Sequence, residues 1–99
     1  MSRAYYASEI EKFINDSPSY ILGELSTFHS FSLDELQRNA WIKQIDICKT
    51  IAPALPSSYI AFEFSIPRMG KRVDVILLHK GIIFVLEFKV GENDTQTAR

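Results

Sequence analysis

The stretch over residues 73–90, VDVILLHKGIIFVLEFKV, limits what this chain can fold into more than any other part of it. Two apolar runs of strand length flank His79-Lys80-Gly81, a pattern that predicts a β-hairpin. Three ionisable residues, Asp74, Glu87 and Lys89, interrupt the runs where a buried strand should carry none. If the hairpin is centred between Lys80 and Gly81, any even-length loop sets Asp74 opposite Glu87. Directly opposed residues share a sheet face, and like charges there repel. Side chains alternate at period two, so Glu87 and Lys89 point the same way. Two carboxylates and an ammonium are thus expected on one face of an otherwise apolar hairpin. Residues 82–90 are nearly continuous in apolar character, as in a central strand covered on both faces. Such a strand needs a neighbour on each side, and the hairpin supplies one. The expectation is that a segment beyond Arg99, or a second copy in a homo-oligomer, covers the other edge.

The chain before the hairpin reads as helices followed by one strand. Ser8-Glu9-Ile10-Glu11 has the form of a capping box, predicting a helix over residues 8–15. Ser17-Pro18 reads as an N-cap with proline at the first helical position, opening a helix that ends near Ser26. Ser32-Leu33-Asp34-Glu35 is a second capping box. From it Leu33, Leu36, Ala40, Trp41, Ile45 and Cys48 form an apolar stripe to about Lys49, with Gln37, Asn39, Lys43 and Gln44 on the polar flank. Pro53 and Pro56 stop that helix. Residues 59–66, YIAFEFSI, read as a strand with Phe62, Phe64 and Ile66 on one face and Ala61, Glu63 and Ser65 on the other. Pro67 ends it, and Arg68-Met69-Gly70-Lys71-Arg72 makes a basic turn with Gly70 at a positive-φ position. The predicted order is α, α, α, β, β, β.

Bulk properties exclude several classes. A net charge of −1 leaves no nucleic-acid binding by overall charge, so any such binding rests on a local patch. The single cysteine, Cys48, forms no internal disulfide and belongs to no zinc-ligand pattern; it reads as a small core residue. No apolar run approaches the ~20 residues that span a bilayer, and no signal core opens the chain. The expected setting is cytoplasmic, without a membrane partner.

Two acids and one lysine leave excess negative charge on one face, which a structural ion pair accounts for poorly. A divalent cation accounts for it better. Carboxylates suit Mg²⁺ (or Mn²⁺), which keeps several waters and is held by one or two carboxylates plus substrate phosphate. Asp74 and Glu87 are the candidate ligands, with the Phe88 carbonyl as another oxygen. The metal would activate water and neutralise charge on a phosphodiester, and Lys89 would orient that water or stabilise the pentacovalent state. Glu63 is either a third acid near the metal or a solvent-facing strand residue; register across the basic turn decides. Arg68, Lys71 and Arg72 either contact phosphates flanking a scissile bond or form a solvated turn. His29 and His79 have no partner at catalytic spacing.

Asp74, twelve intervening residues, then Glu87-Phe88-Lys89 resembles the PD-(D/E)XK nuclease signature. The resemblance implies an α/β, restriction-endonuclease-like core of order αβββαβ, of which this chain carries the αβββ part. Val73 departs from the proline the family often has there. A narrower resemblance rests on residues 35–41 (ELQRNAW), 62–68 (FEFSIPR), 72–75 (RVDV) and 87–92 (EFKVGE). These resemble the N-terminal nuclease-like region of bacterial Schlafen-type DNA/RNA helicase (AAA ATPase) proteins. In that family a helix with a Q-x-x-x-Y motif follows the E-x-K strand. The sequence ends before such a helix and has no Walker A motif, so no ATPase activity is expected of it. Residues 1–31 are expected to form an N-terminal helical segment, and residues 32–99 the core without its C-terminal part. The function the resemblance implies is metal-dependent hydrolysis of nucleic-acid phosphodiester bonds. The rival is a non-catalytic module that binds nucleic acid or protein on the same fold.

Overall fold

The computed structural model describes residues 3–27 and 35–88. In chain order these form β1 (Tyr6–Glu9), α1 (Ile10–Asn15), α2 (Pro18–Ser26), α3 (Glu35–Ile51), a 3₁₀ turn (Ala52–Ala54), β2 (Tyr59–Ile66), β3 (Lys71–His79) and β4 (Ile82–Leu86). The fold is mixed α/β. The strands make one sheet in the order β1-β2-β3-β4, every neighbour antiparallel.

The first strand departs from the all-helical start that the capping box at Ser8 predicts. Tyr6 and Ser8 alternate into the interior while Ala7 and Glu9 face out, and the backbone pairs with β2 from Tyr6↔Phe62 to Glu9↔Tyr59. Ladder bonds and a buried Tyr6 outweigh the local cap. Ser8 Oγ meets the Tyr6 hydroxyl at 3.1 Å and donates to the Glu9 carbonyl, so it is not free to cap a helix. Glu11 accepts the Ser57 N–H at 3.0 Å instead of closing the box. α1 therefore begins only at Ile10. α2 follows its signals: Ser17 Oγ accepts the Tyr20 N–H at 3.1 Å, Pro18 opens the helix, and Ser26 closes it.

On α3 the buried face is Trp41, Gln44, Ile45 and Cys48. Leu36, expected on that stripe, is 73% exposed. It precedes Trp41 by five residues, which at roughly 100° per residue places it well off the buried face. Gln44, expected on the polar flank, is buried among core residues because at roughly 100° per residue it falls about 60° from Trp41 and about 40° from Cys48, at the edge of the buried arc. Leu33 lies outside the described residues.

All three helices contribute to one core against β1–β3. Phe13, Ile21, Leu25, Trp41, Ile45 and Cys48 pack on Tyr6, Ile60, Phe62, Val75 and Leu77. Phe13 and Phe62 rings stand 5.8 Å apart at its centre. Each fully buried aliphatic or Phe side chain there contributes roughly 1.5–3 kcal/mol. Lys49 ties α3 to the end of α1, donating to the carbonyls of Phe13, Ile14 and Asp16 with its ammonium 4.7 Å from the Phe13 ring centre. A cation at a helix C-terminus also meets the negative end of the helix dipole.

The hairpin takes the even register. Pairs run from His79↔Ile82 to Val75↔Leu86 across the two-residue turn Lys80-Gly81. Both turn residues have positive φ, 52° and 78°, the type I′ geometry whose twist matches the flanking strands. Gly70, at φ 63°, lies in the β2–β3 turn as its position predicts. Of the central strand expected over residues 82–90, the described residues show one neighbour, β3. β4 ends at Leu86 and is the outer strand among the described residues, with Ile82, Ile83, Phe84 and Val85 each 44–63% exposed. The core layer centres on β1–β3, and β4 reaches it only through Leu86, followed by Phe88.

Candidate functional site

The candidate carboxylates gather where β2, β3 and the end of β4 meet. The β3–β4 register, continued by one pair, sets Asp74 opposite Glu87, but the ladder closes at Val75↔Leu86. Asp74 Oδ2 instead accepts the N–H of Phe88 at 2.8 Å. Asp74 lies between Val73 and Val75, both buried, and Glu87 between Leu86 and Phe88, both packed partly against the core. Period-two alternation therefore gives Asp74 and Glu87 the same face.

Glu63 breaks the alternation of β2. The register runs Phe62↔Val75 and Phe64↔Val73, and Glu63 between them has φ 56°, a left-handed conformation unusual for a residue with a side chain. Phe62 lies in the core, whereas Phe64 lines a shallow apolar groove with Ala61, Ile76, Leu78 and Ile83 on the other side of the sheet. The expected common face for Phe62 and Phe64 is thus corrected. Glu63 does not share the face with Ala61 that the alternation of β2 predicts: its Oε2 accepts the indole N–H of buried Trp41 at 3.1 Å.

Three residues, Trp41, Tyr5 and Arg72, close a ring with Glu63. The Trp41 indole bonds its carboxylate, and Tyr5 meets Trp41 edge-on with ring centres 6.4 Å apart. The Arg72 guanidinium lies over the Tyr5 ring at 4.4 Å and donates to the Glu63 carbonyl at 3.0 Å. Burial raises the Glu63 pKa; the Trp41 bond opposes this, the charges of Asp74 and Glu87 add to it, and Arg72 opposes it. Glu63 thus feels the charge of the other two acids, Asp74 and Glu87. None of them forms a salt bridge among the described residues, where Lys12–Asp16 is the one ion pair.

The other candidates divide. Arg72 is occupied with backbone carbonyls and Tyr5, while Arg68 and Lys71 are exposed near the β2–β3 turn. Phe88 takes part through its amide, which holds Asp74. Lys89 and His29 lie outside the described residues. Among the described residues, no three His, Cys, Asp or Glu side chains are grouped as a metal site. Asp74 and Glu87 suit Mg²⁺ by donor chemistry, as a pair of carboxylates to be completed by water and substrate oxygen.

Trp41 is the site residue that sequence reasoning missed; its helical spacing showed burial but not the partner of its N–H. His79 has a partner 21 positions away, the Ser58 hydroxyl at 3.0 Å from Nδ1. Ser58 donates its only proton to the Leu55 carbonyl, so it accepts from His79 Nδ1–H. The imidazole is then a donor to Ser58 and no base for it, which makes this pair a structural latch. Cys48 is fully buried, and burial pushes its thiol up to about 12, leaving it unreactive near neutral pH. No helix among the described residues is long and apolar enough to cross a membrane. No family model, no curated protein and no solved structure matches the chain.

Proposed function

We propose that this chain is a metal-dependent nuclease domain of the PD-(D/E)XK type, with α3, β2, β3 and β4 as the αβββ part of a restriction-endonuclease-like core. One observation carries the reading: Asp74 and Glu87 come to one face at the open end of the β3–β4 hairpin, with no ion-pair partner among the described residues. Like charges side by side on one sheet face repel each other, and a bound cation removes that repulsion. Asp74 and Glu87 would hold Mg²⁺ or Mn²⁺, which supplies an activated water and neutralises phosphate charge. Glu63, fixed by Trp41, adds negative field at that point. The Phe88 amide orients the Asp74 carboxylate, and Lys89, two residues past Glu87, supports the water or the transition state. Arg68 and Lys71 remain available for phosphates on either side of the scissile bond.

A second reading has its own support. Asp74 already serves as an acceptor for a backbone amide, a structural task that persists without chemistry. On that reading the domain binds nucleic acid or protein and cleaves nothing. Two measurements separate the readings. The first is Mg²⁺ and Mn²⁺ titration followed by melting temperature and by fluorescence of Trp41, the one tryptophan. The second is incubation with single- and double-stranded DNA and RNA. The nuclease reading expects a cation-dependent rise in Tm, a change in emission, and cleavage that Asp74→Asn and Lys89→Ala abolish while the fold persists. Binding without cleavage, and no cation response, leaves the non-catalytic module.

A further inference from the structure

Glu63 lies opposite Asp74 in the β2–β3 ladder but is not paired with it. The pairs on either side are Phe62↔Val75 and Phe64↔Val73, so the register continues unchanged across the gap. Directly opposed residues of an antiparallel pair share a face, with Cβ atoms roughly 4.5–5.5 Å apart. An extended Glu63 would therefore stand beside Asp74, on the face that Asp74 shares with Glu87, and three carboxylates would meet there. Its left-handed backbone, φ 56°, takes it elsewhere, and its Oε2 meets the Trp41 indole N–H. A side-chain-bearing residue in this conformation persists only where its surroundings hold it, and such outliers cluster at functional sites. The Trp41 bond to its carboxylate and the Arg72 bond to its carbonyl hold it here.

We infer that Glu63 is a third ligand for the divalent cation, and that the Trp41 N–H and the cation compete for its carboxylate. The inference rests on the reading of Asp74 and Glu87 as a Mg²⁺ or Mn²⁺ pair and adds to it a ligand that changes place. Turning residue 63 to extended backbone brings its carboxylate beside Asp74 and relieves the left-handed strain. It also restores the alternation of β2, which returns Phe64 to the face of Phe62. The same turn breaks the bond to Trp41, so the two arrangements are alternatives. Affinity for a hard cation follows the charge count of its ligands, so the extended arrangement binds it more tightly and gains population when it is present. The apparent affinity is then lowered by the fraction of chains in which Trp41 holds the carboxylate. Trp41 thus acts as a brake on cation binding, through Glu63 and without touching the cation.

Titration of the 99-residue chain with Mg²⁺ and with Mn²⁺, in the absence of nucleic acid, tests the inference apart from any cleavage activity. Calorimetry gives the affinity. The indole N–H resonance of Trp41, the one tryptophan, gives the position of Glu63 during the Mg²⁺ titration. That resonance is expected to move in proportion to the cation bound and to exchange faster with solvent. Glu63→Gln keeps an acceptor for Trp41 but should weaken cation binding at least about tenfold, with an indole resonance that no longer responds. Trp41→Phe, checked for folding by circular dichroism, should bind the cation about tenfold more tightly, whereas a purely structural role for Trp41 predicts equal or weaker binding. Cation binding that leaves the indole resonance in place, a Glu63→Gln affinity equal to wild type, or a folded Trp41→Phe that binds no more tightly would each overturn the inference and leave Asp74 and Glu87 as a two-carboxylate site. A wild-type chain that binds no cation even at millimolar concentration overturns both the inference and the reading it rests on.

Discussion

The indole N–H of Trp41, at the centre of α3, donates to Glu63 Oε2 across 3.1 Å and so fastens the helix layer to a strand residue held at φ 56°. A left-handed conformation costs a side-chain-bearing residue of order 1–2 kcal/mol. The Trp41 bond and the Arg72 bond to the Glu63 carbonyl hold it in place. Trp41→Phe keeps most of the apolar volume but removes the donor. The expected loss is about 1.5–3 kcal/mol, the scale of a hydrogen bond to a charged group. Denaturant unfolding of the variant against wild type measures it. A loss no larger than that of Trp41→Phe made in a Glu63→Gly background would show that the bond contributes nothing.

The carboxyl of Glu63 should also leave a mark on the pH dependence of stability. Burial is the first cause of its raised pKa, with the charges of Asp74 and Glu87 adding to it. A raised carboxyl pKa means that the folded state holds the proton more tightly than the unfolded chain. Stability from this residue therefore falls as pH rises from the ordinary glutamate range through the raised value. Asp16 works in the opposite sense: Lys12 and Tyr6 lower its pKa, so acidification through that lowered value removes stability. Glu63→Gln retains an acceptor for Trp41 and removes the crowded charge. It should gain up to about 1 kcal/mol at pH 7, discounted for partial exposure, and little at pH 4. Urea midpoints of both proteins from pH 4 to 8 provide the comparison; a constant difference across that range would contradict the assignment.

Much of this architecture was legible from local chemistry. Ser17-Pro18 fixed the start of α2, and the turn at Lys80-Gly81 fixed the hairpin register that carries Asp74 toward Glu87. What escaped was set by contacts distant in sequence. Residues 6–9 resemble a helix approach until β2, some fifty positions later, offers a ladder. Glu63 has an outward-facing place in a regular strand, and only Trp41 and Arg72 reveal its departure. Gln44 is polar by type, yet it falls on the buried face because the helical angle from Trp41 places it there. The open faces of β4 likewise follow from where the helices gather, which no run of apolar letters reports.

Gln44 offers a stability gain. The residue is 3% exposed, and its Oε1 has no hydrogen-bond partner among the described residues. An unsatisfied buried acceptor costs roughly 1–3 kcal/mol. Gln44→Leu or Gln44→Met keeps a similar volume and removes that cost, so thermal unfolding should shift upward by an amount corresponding to about 1–2 kcal/mol. Gln44→Ala separates the two effects, because it removes the acceptor but opens a cavity. A Leu variant less stable than wild type would mean that the amide makes a bond worth more than the acceptor's burial.

The turn at Lys80 isolates a backbone effect from packing. Lys80 sits at φ 52° and is exposed, followed by Gly81 at φ 78°. Type I′ turns need positive φ at both central positions, and asparagine followed by glycine meets that need with less strain than lysine. Lys80→Asn should therefore stabilise the hairpin by about 0.5–1 kcal/mol, whereas Lys80→Val, β-branched at a left-handed position, should destabilise by at least as much. Amide hydrogen exchange along β3 and β4 shows where the change acts: protection should rise between Val75 and Leu86 in the asparagine variant and fall in the valine variant. Equal stability of all three proteins would mean that the turn does not adopt this geometry in solution, and the register that directs Asp74 toward Glu87 would lose its anchor.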